Sequence, residues 1–129
     1  MVIPFEARYP GTSRAVGVLR RDMAELAKDC GMDAEGIADV RLAVTEAATN
    51  AVVHAYAEAE GELSVTAAVH DGELTIVIGD TGSGLVERHD SPGLGLGLAL
   101  IAKVVERLKI VSHPGSTEIH LAFPCPNAG

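Results

Sequence analysis

Residues 79 to 98 hold the densest chemistry in the chain. Gly79-Asp80-Thr81-Gly82-Ser83-Gly84-Leu85 is followed by a polar stretch, Glu87 to Ser91, and then by Gly93-Leu94-Gly95-Leu96-Gly97-Leu98. Six of the fourteen glycines fall between residues 79 and 97, so the backbone there can approach a ligand closely and turn several N–H groups toward one anion. A helix expected to begin near Gly95 adds the positive end of its dipole. This is a phosphate-binding signature in general form, although it contains neither G-x-x-x-x-G-K-[ST] nor a G-x-G-x-x-G directly after a strand. Asp80 sharpens it. In a strand from Leu74 to Asp80 its carboxylate shares the face of Leu74, Ile76 and Ile78, where an unpaired charge is costly and calls for a donor. A purine amino group, a backbone N–H and the Thr81 hydroxyl all qualify.

A second set of polar residues, Glu46, Asn50 and His54, recurs every four residues within Thr45-Glu46-Ala47-Ala48-Thr49-Asn50-Ala51-Val52-Val53-His54-Ala55-Tyr56. On a helix they form one stripe, and the alanines around them let something pack close. The same spacing also describes an ordinary solvated helix face.

Periodicity predicts the helices and strands around these residues. Residues 2 to 9, a short mixed segment with Pro4 and Pro10, suit an edge strand. Thr12 caps a helix with apolar positions from Ala15 to Cys30, closed by Gly31. Asp33 caps a second helix, from about Ala34 to Ala57, whose inner stripe is Ile37, Val40, Val44, Ala47, Ala48 and Ala51. From Glu62 the period becomes two. Leu63, Val65, Ala67 and Val69 lead through Asp71-Gly72 into Leu74, Ile76 and Ile78, which makes a β-hairpin. Leu108 to His113 and Thr117 to Phe123 make another around Pro114-Gly115, with Leu108, Ile110, Ile119, Leu121 and Phe123 facing inward. One apolar sheet face and three helices predict an α+β, two-layer sandwich, its sheet mixed but mostly antiparallel, with helices on one face.

Length and composition bound the rest. The 129 residues suit a single domain spanning 1–129. Ten Lys and Arg against 18 Asp and Glu leave a formal charge of -8, and aromatic residues make up only 3% with no Trp. Both argue against direct nucleic-acid binding, while a small nucleotide held by local N–H groups and one metal ion remains compatible. Cys30 and Cys125 have no metal or redox spacing and read as reduced, structural thiols. The longest apolar run is five residues, Leu98 to Ala102, so no membrane segment and a cytoplasmic location are expected.

Three segments in this order, E-x-x-x-N-A-x-x-H-A-Y on a helix, D-x-G-x-G after a strand and G-x-G-L-x-L opening a helix, resemble the ATP-binding superfamily of gyrase, the heat-shock chaperone, histidine kinases and the mismatch-repair ATPase. Within it the Glu46-to-Tyr56 string and the N-terminal strand and helix look most like the anti-sigma-factor serine kinases. The resemblance covers nearly the whole chain and implies the superfamily's Bergerat ATP-binding fold, with ATP and Mg²⁺ as cofactors. By position, Asn50 would bind Mg²⁺ through its amide oxygen, and Glu46 would be the general base or positioning group. Asp80 would accept from the adenine amino group. Gly82 and Gly84 would give the base room, and Ser91 to Gly97, with Gly93, Gly95, Gly97 and Leu98 among the binding residues, would cover the phosphates. Thr117 matches a threonine near the nucleotide; His54 and Tyr56 match the string.

The resemblance implies an anti-sigma factor that phosphorylates a serine or threonine of its antagonist protein, with the sigma factor and the antagonist as partners. Where many relatives carry an arginine, Gly93 to Gly97 has no basic residue, and Arg88, His89 and Lys103 are the nearest substitutes. This departure supports an alternative: a non-catalytic nucleotide-binding regulator that sequesters a partner. A slow ATPase fragment is a third reading. The open sheet face, with Thr66, Ala68, His70, Thr75, Val77, Val111 and His120, is the expected surface for a partner or a homodimer.

Overall fold

Asp71 and Gly72 take φ values of 51° and 75°, the left-handed pair that lets a two-residue turn follow the twist of its flanking strands. The turn joins β2 (Glu62–His70) to β3 (Glu73–Asp80), and His70 pairs with Glu73. The computed structural model describes residues 4–55, 61–80, 92–114 and 116–128, with 52–55, 92–96 and 128 given as backbone only. The remaining strands are β1 (Phe5–Pro10), β4 (Arg107–His113) and β5 (Ser116–Pro124). The sheet order is β1-β2-β3-β5-β4, and all four pairings are antiparallel. Pro4 and Pro10 flank or end an edge strand, where a missing N–H leaves no inner ladder broken.

Helices α1 (Ser13–Asp29), α2 (Ala34–Ala55) and α3 (Pro92–Val104) cover one face. Both expected caps form. Thr12 Oγ1 accepts from Ala15 N at 3.2 Å, and Asp33 Oδ1 accepts from Gly36 N at 2.9 Å. Helix α3 starts at Pro92, earlier than the expected start near Gly95. Proline's fixed φ suits a first helical position, where its missing N–H costs nothing. Residues 92 to 97 are therefore helical rather than part of an extended cover.

Registers align the inner side chains in rows. Ala7, Val65, Ile78, Ile119 and Ile110 form one, and Phe5, Ala67, Ile76, Leu121 and Leu108 the next. Against them α2 buries Val40, Ala43, Val44, Ala47, Ala48 and Ala51, while α1 contributes Leu19 and Met23, both fully buried. Small residues on α2 let its axis lie close to strands that supply the larger side chains. Ile110 shares this inward face, as expected, yet is 40% exposed. It sits on β4 at the edge of the sheet, with no strand beyond it among the described residues.

Polar contacts tie the layers at their margins. Tyr9 Oη on β1 donates to Asp22 Oδ2 on α1 at 2.7 Å, and burial followed by Asp22 itself pushes the phenol pKa upward. On the open face Arg107 makes a bidentate pair with Glu73, at 2.6 and 2.7 Å, reaching across Ala122 of β5. The guanidinium holds the Glu73 carboxyl below its ordinary value, against a smaller opposing effect of desolvation. The C-terminal segment is fastened twice: Cys125 N donates to Gly72 O at 2.7 Å and Asn127 N to Cys30 O at 2.9 Å. Cys30 and Cys125 are free buried thiols, as expected, and Cys125 Sγ donates to Cys30 O at 3.8 Å. Burial, aided by Cys125, pushes Cys30 up to about 12, so it stays a neutral thiol. Among the described residues no helix is long and apolar enough to cross a membrane.

Two predictions follow from these ties. Tyr9→Phe removes one hydrogen bond to a carboxylate and should lower unfolding free energy by about 1 kcal/mol, read as a lower urea midpoint at unchanged slope. Glu73 has a lowered pKa, so its contribution to stability is complete above the ordinary glutamate value and is lost as pH falls through the lowered one. Carboxyl NMR titration should find Glu73 below its ordinary value in the wild type and moved upward in Arg107→Ala.

Candidate functional site

The last row of the sheet differs from the others. Tyr9, Leu63, Asp80, Thr117 and Ser112 stand side by side on the inner face, placing a carboxylate and a hydroxyl where the preceding rows carry hydrocarbon. Asp80 is 4% exposed and Thr117 1%, and among the described residues they are the two buried polar side chains. Each engages a partner. Parity along β3 carries Asp80 inward, and the antiparallel register sets Thr117 directly opposite it.

On α2, Glu46 and Asn50 stand one turn apart and both are half-buried. Gly97 of α3 meets them both. A Cβ on Gly97 would lie 3.0 Å from Asn50 Nδ2, 3.3 Å from Glu46 Oε1 and 3.4 Å from Asn50 Oδ1. The two side chains therefore converge on bare backbone, and only glycine leaves them their present positions. Asn50 Nδ2 is buried with no hydrogen-bond acceptor among the described residues. Such a donor costs about 1–3 kcal/mol unless an acceptor reaches it, and a phosphate oxygen is an acceptor of suitable charge. Thr45 Oγ1, one residue before Glu46, is likewise buried with no partner among the described residues; nothing in the sequence spacing marks it.

The donor set fits a hard cation held mainly by its ligand. Asn50 and Glu46 offer oxygens, and no cluster of three His, Cys, Asp or Glu side chains gathers among the described residues. Mg²⁺ bound with substrate phosphates needs only one or two protein oxygens, water completing its octahedron.

Of the residues singled out from sequence, the fold brings Glu46, Asn50 and Gly97 into one cluster and Asp80 and Thr117 into another, and α2 packs against β3. Gly93 and Gly95 lie in the first turns of α3. Leu98 packs half-buried against the core, which gives it a structural role of its own. Gly82, Gly84, Ser91, Arg88, His89 and Tyr56 lie outside the described residues, and His54 is described only as backbone. Sequence had offered Gly97 as a phosphate-facing residue; its contact with Glu46 and Asn50 emerges only from the packing of α3 on α2.

Comparison with known proteins bears on this arrangement. Residues 9–123 match the family of the histidine kinase-like ATPase domain. Serine-protein kinase RsbW of Bacillus thuringiensis is 30% identical over 127 residues, spanning 87% of this chain and 79% of that one. The protein of the same name from Bacillus licheniformis is 30% identical over 128 residues, spanning 87% and 80%. Among solved structures, the RsbU and RsbW domains of a Mycobacterium tuberculosis protein align with a TM-score of 0.75 at 27% identity, covering 94% of this chain and 31% of the longer one. The histidine kinase domain of the blue-light activated kinase of Erythrobacter litoralis shares the fold, with a TM-score of 0.62 at 23% identity over 88% of this chain and 63% of that one.

Substituting Gly97 separates packing from propensity. In Gly97→Ala the helix gains up to about 1 kcal/mol of propensity while its methyl presses on Asn50. Thermal stability should change little, and the side-chain NH₂ resonances of Asn50 should shift; an unmoved Asn50 spectrum would contradict the contact.

Proposed function

The chain belongs to the histidine kinase-like ATPase domain family, among the RsbW serine-protein kinases, and on that premise we propose that it is a Mg-ATP-dependent anti-sigma factor that phosphorylates a serine or threonine of its antagonist protein. The observation that carries the reading is the convergence of Glu46 and Asn50 on Gly97, a carboxylate and an amide at one bare stretch of helix backbone.

Mg²⁺, when bound, neutralises phosphate charge and aligns the γ-phosphoryl group. Asn50 would hold it through Oδ1 and leave Nδ2 for a phosphate oxygen. Glu46 would orient the acceptor hydroxyl and take its proton as that oxygen bonds to the γ-phosphorus and the bond to the β-phosphate oxygen breaks, releasing ADP. Asp80, buried at the end of β3, would read the base by accepting from the adenine amino group, with Thr117 beside it. Gly82 and Gly84 would make room for the base. Gly93 and Gly95, in the first turn of α3, would turn its free N–H groups toward the phosphates, with Gly97 and Leu98 supporting that turn from behind.

The partners proposed are a sigma factor and its antagonist, both met in the cytoplasm. A net charge of -8 suits a basic partner surface such as that of a DNA-binding protein. The absence of any basic residue from Gly93 to Gly97 favours the second reading, a regulator that binds nucleotide without transferring phosphate.

Incubating the protein with Mg-ATP labelled at the γ-phosphate and its antagonist distinguishes the two. We expect label on the antagonist. Glu46→Gln should keep nucleotide affinity within about threefold and lower transfer by about 100-fold or more. Asn50→Ala should lose the Mg-dependent part of binding. ATP binding without transfer by the wild type would leave only the non-catalytic reading, and no stabilisation by ATP at saturating concentration would remove both.

A further inference from the structure

A groove of about 360 Å³ lies at the opposite end of α2 from Asn50, at the small end of the range of ligand clefts, roughly 300–1,000 Å³. Its floor is apolar: Met32 from the α1–α2 turn, Val104 from the end of α3, Phe123 from β5 and Pro126 beyond it. Its wall is built in advance, because the hydrogen bonds of Cys125 and Asn127 fasten the C-terminal segment to the β2–β3 turn and the end of α1. Gly31, at φ 85°, approaches Asn127 so closely that a Cβ would stand 2.5 Å from Oδ1.

The rim carries Asp33, Glu35 and Asp39. Asp33 is occupied in capping α2 through Gly36 N. Glu35 and Asp39 stand one turn apart on α2, an i,i+4 like-charge pair that destabilises a helix, and neither forms an ion pair among the described residues. The helix dipole contributes only about half a positive charge against three carboxylates. An apolar floor beside an uncompensated negative rim calls for an occupant that is apolar at its tip and cationic around it.

We propose that the groove is a docking site for a basic amphipathic segment of a partner protein, seating an apolar side chain on Phe123 and Val104 while flanking lysines or arginines face Glu35 and Asp39. The long negative field of the chain steers such a segment inward. Seven residues separate Asp39 from Glu46 on α2 and Gly97 from Val104 on α3, about 10 Å along each axis. The groove thus lies about two helical turns from the Glu46–Asn50 site. The proposal does not depend on nucleotide binding.

The probe is a short acetylated helical peptide with paired leucines flanked by lysines, titrated into ¹⁵N-labelled protein with and without Mg-ADP. Its counterpart carries glutamate for lysine. The expected result is a shift of the Gly31, Gly36 and Val104 amides by the lysine peptide alone, in both conditions, weakening as salt rises. The double variant Glu35→Gln, Asp39→Asn, which removes charges only, should bind it about tenfold more weakly at low salt. Equal binding of both peptides, shifts confined to other surfaces, or an affinity unchanged in the double variant would each overturn the proposal. Loss of any response to Mg-ADP would instead count against the nucleotide reading alone.

Discussion

Helix α2 has to satisfy two opposed demands, and the arrangement of the molecule depends on how it does so. One side must come close to the sheet and to both neighbouring helices, and the other must place a carboxylate and an amide, Glu46 and Asn50, against Gly97. Ala43, Ala47, Ala48 and Ala51 meet the first demand, since each is buried and none holds the backbone away from its neighbours. The bulk needed to fill the interior is moved to the strands, where Leu74, Ile76 and Leu121 project toward the helix. Close packing also fixes the depth of α3, whose Gly97 can then touch Glu46 and Asn50. A larger residue at any buried α2 alanine would disturb the fold and the site together.

The last row of the sheet shows a similar economy. A carboxylate on the inner face of a central strand is tolerable because it stands at the strand's end, beside Thr117 and beyond the hydrocarbon rows. One position earlier on that face it would sit at Ile78, between Val65 and Ile119, where desolvation would be far harder to offset. The strand therefore passes from hydrocarbon core to a buried polar pair, with the boundary at its final residue.

How much of this could be read from residues alone follows from range. Period-two alternation, the Asp71-Gly72 turn and the caps at Thr12 and Asp33 are local, and each appears as expected. The inward direction of Asp80 is also local, being parity along one strand. The start of α3 was less legible because glycines at 93, 95 and 97 suggest backbone freedom, while Pro92 favours a helix one turn earlier. The exposure of Ile110 depends on which strand is outermost, which alternation does not encode. The groove was hidden altogether, since its lining joins residues near 32, 104 and 123 that only the tertiary fold assembles.

The strand order has a consequence for how the protein is made. The strand that sits between β3 and β4, β5, is the last of the five in the chain. During synthesis β1, β2 and β3 leave the ribosome first, and β3 then offers an unpaired edge carrying Leu74, Ile76 and Ile78 until more than thirty further residues have been added. Folding cannot close from the N-terminus forward. The nascent chain must keep that edge from other strands, and the five-stranded sheet is complete only when β5 inserts between β3 and β4.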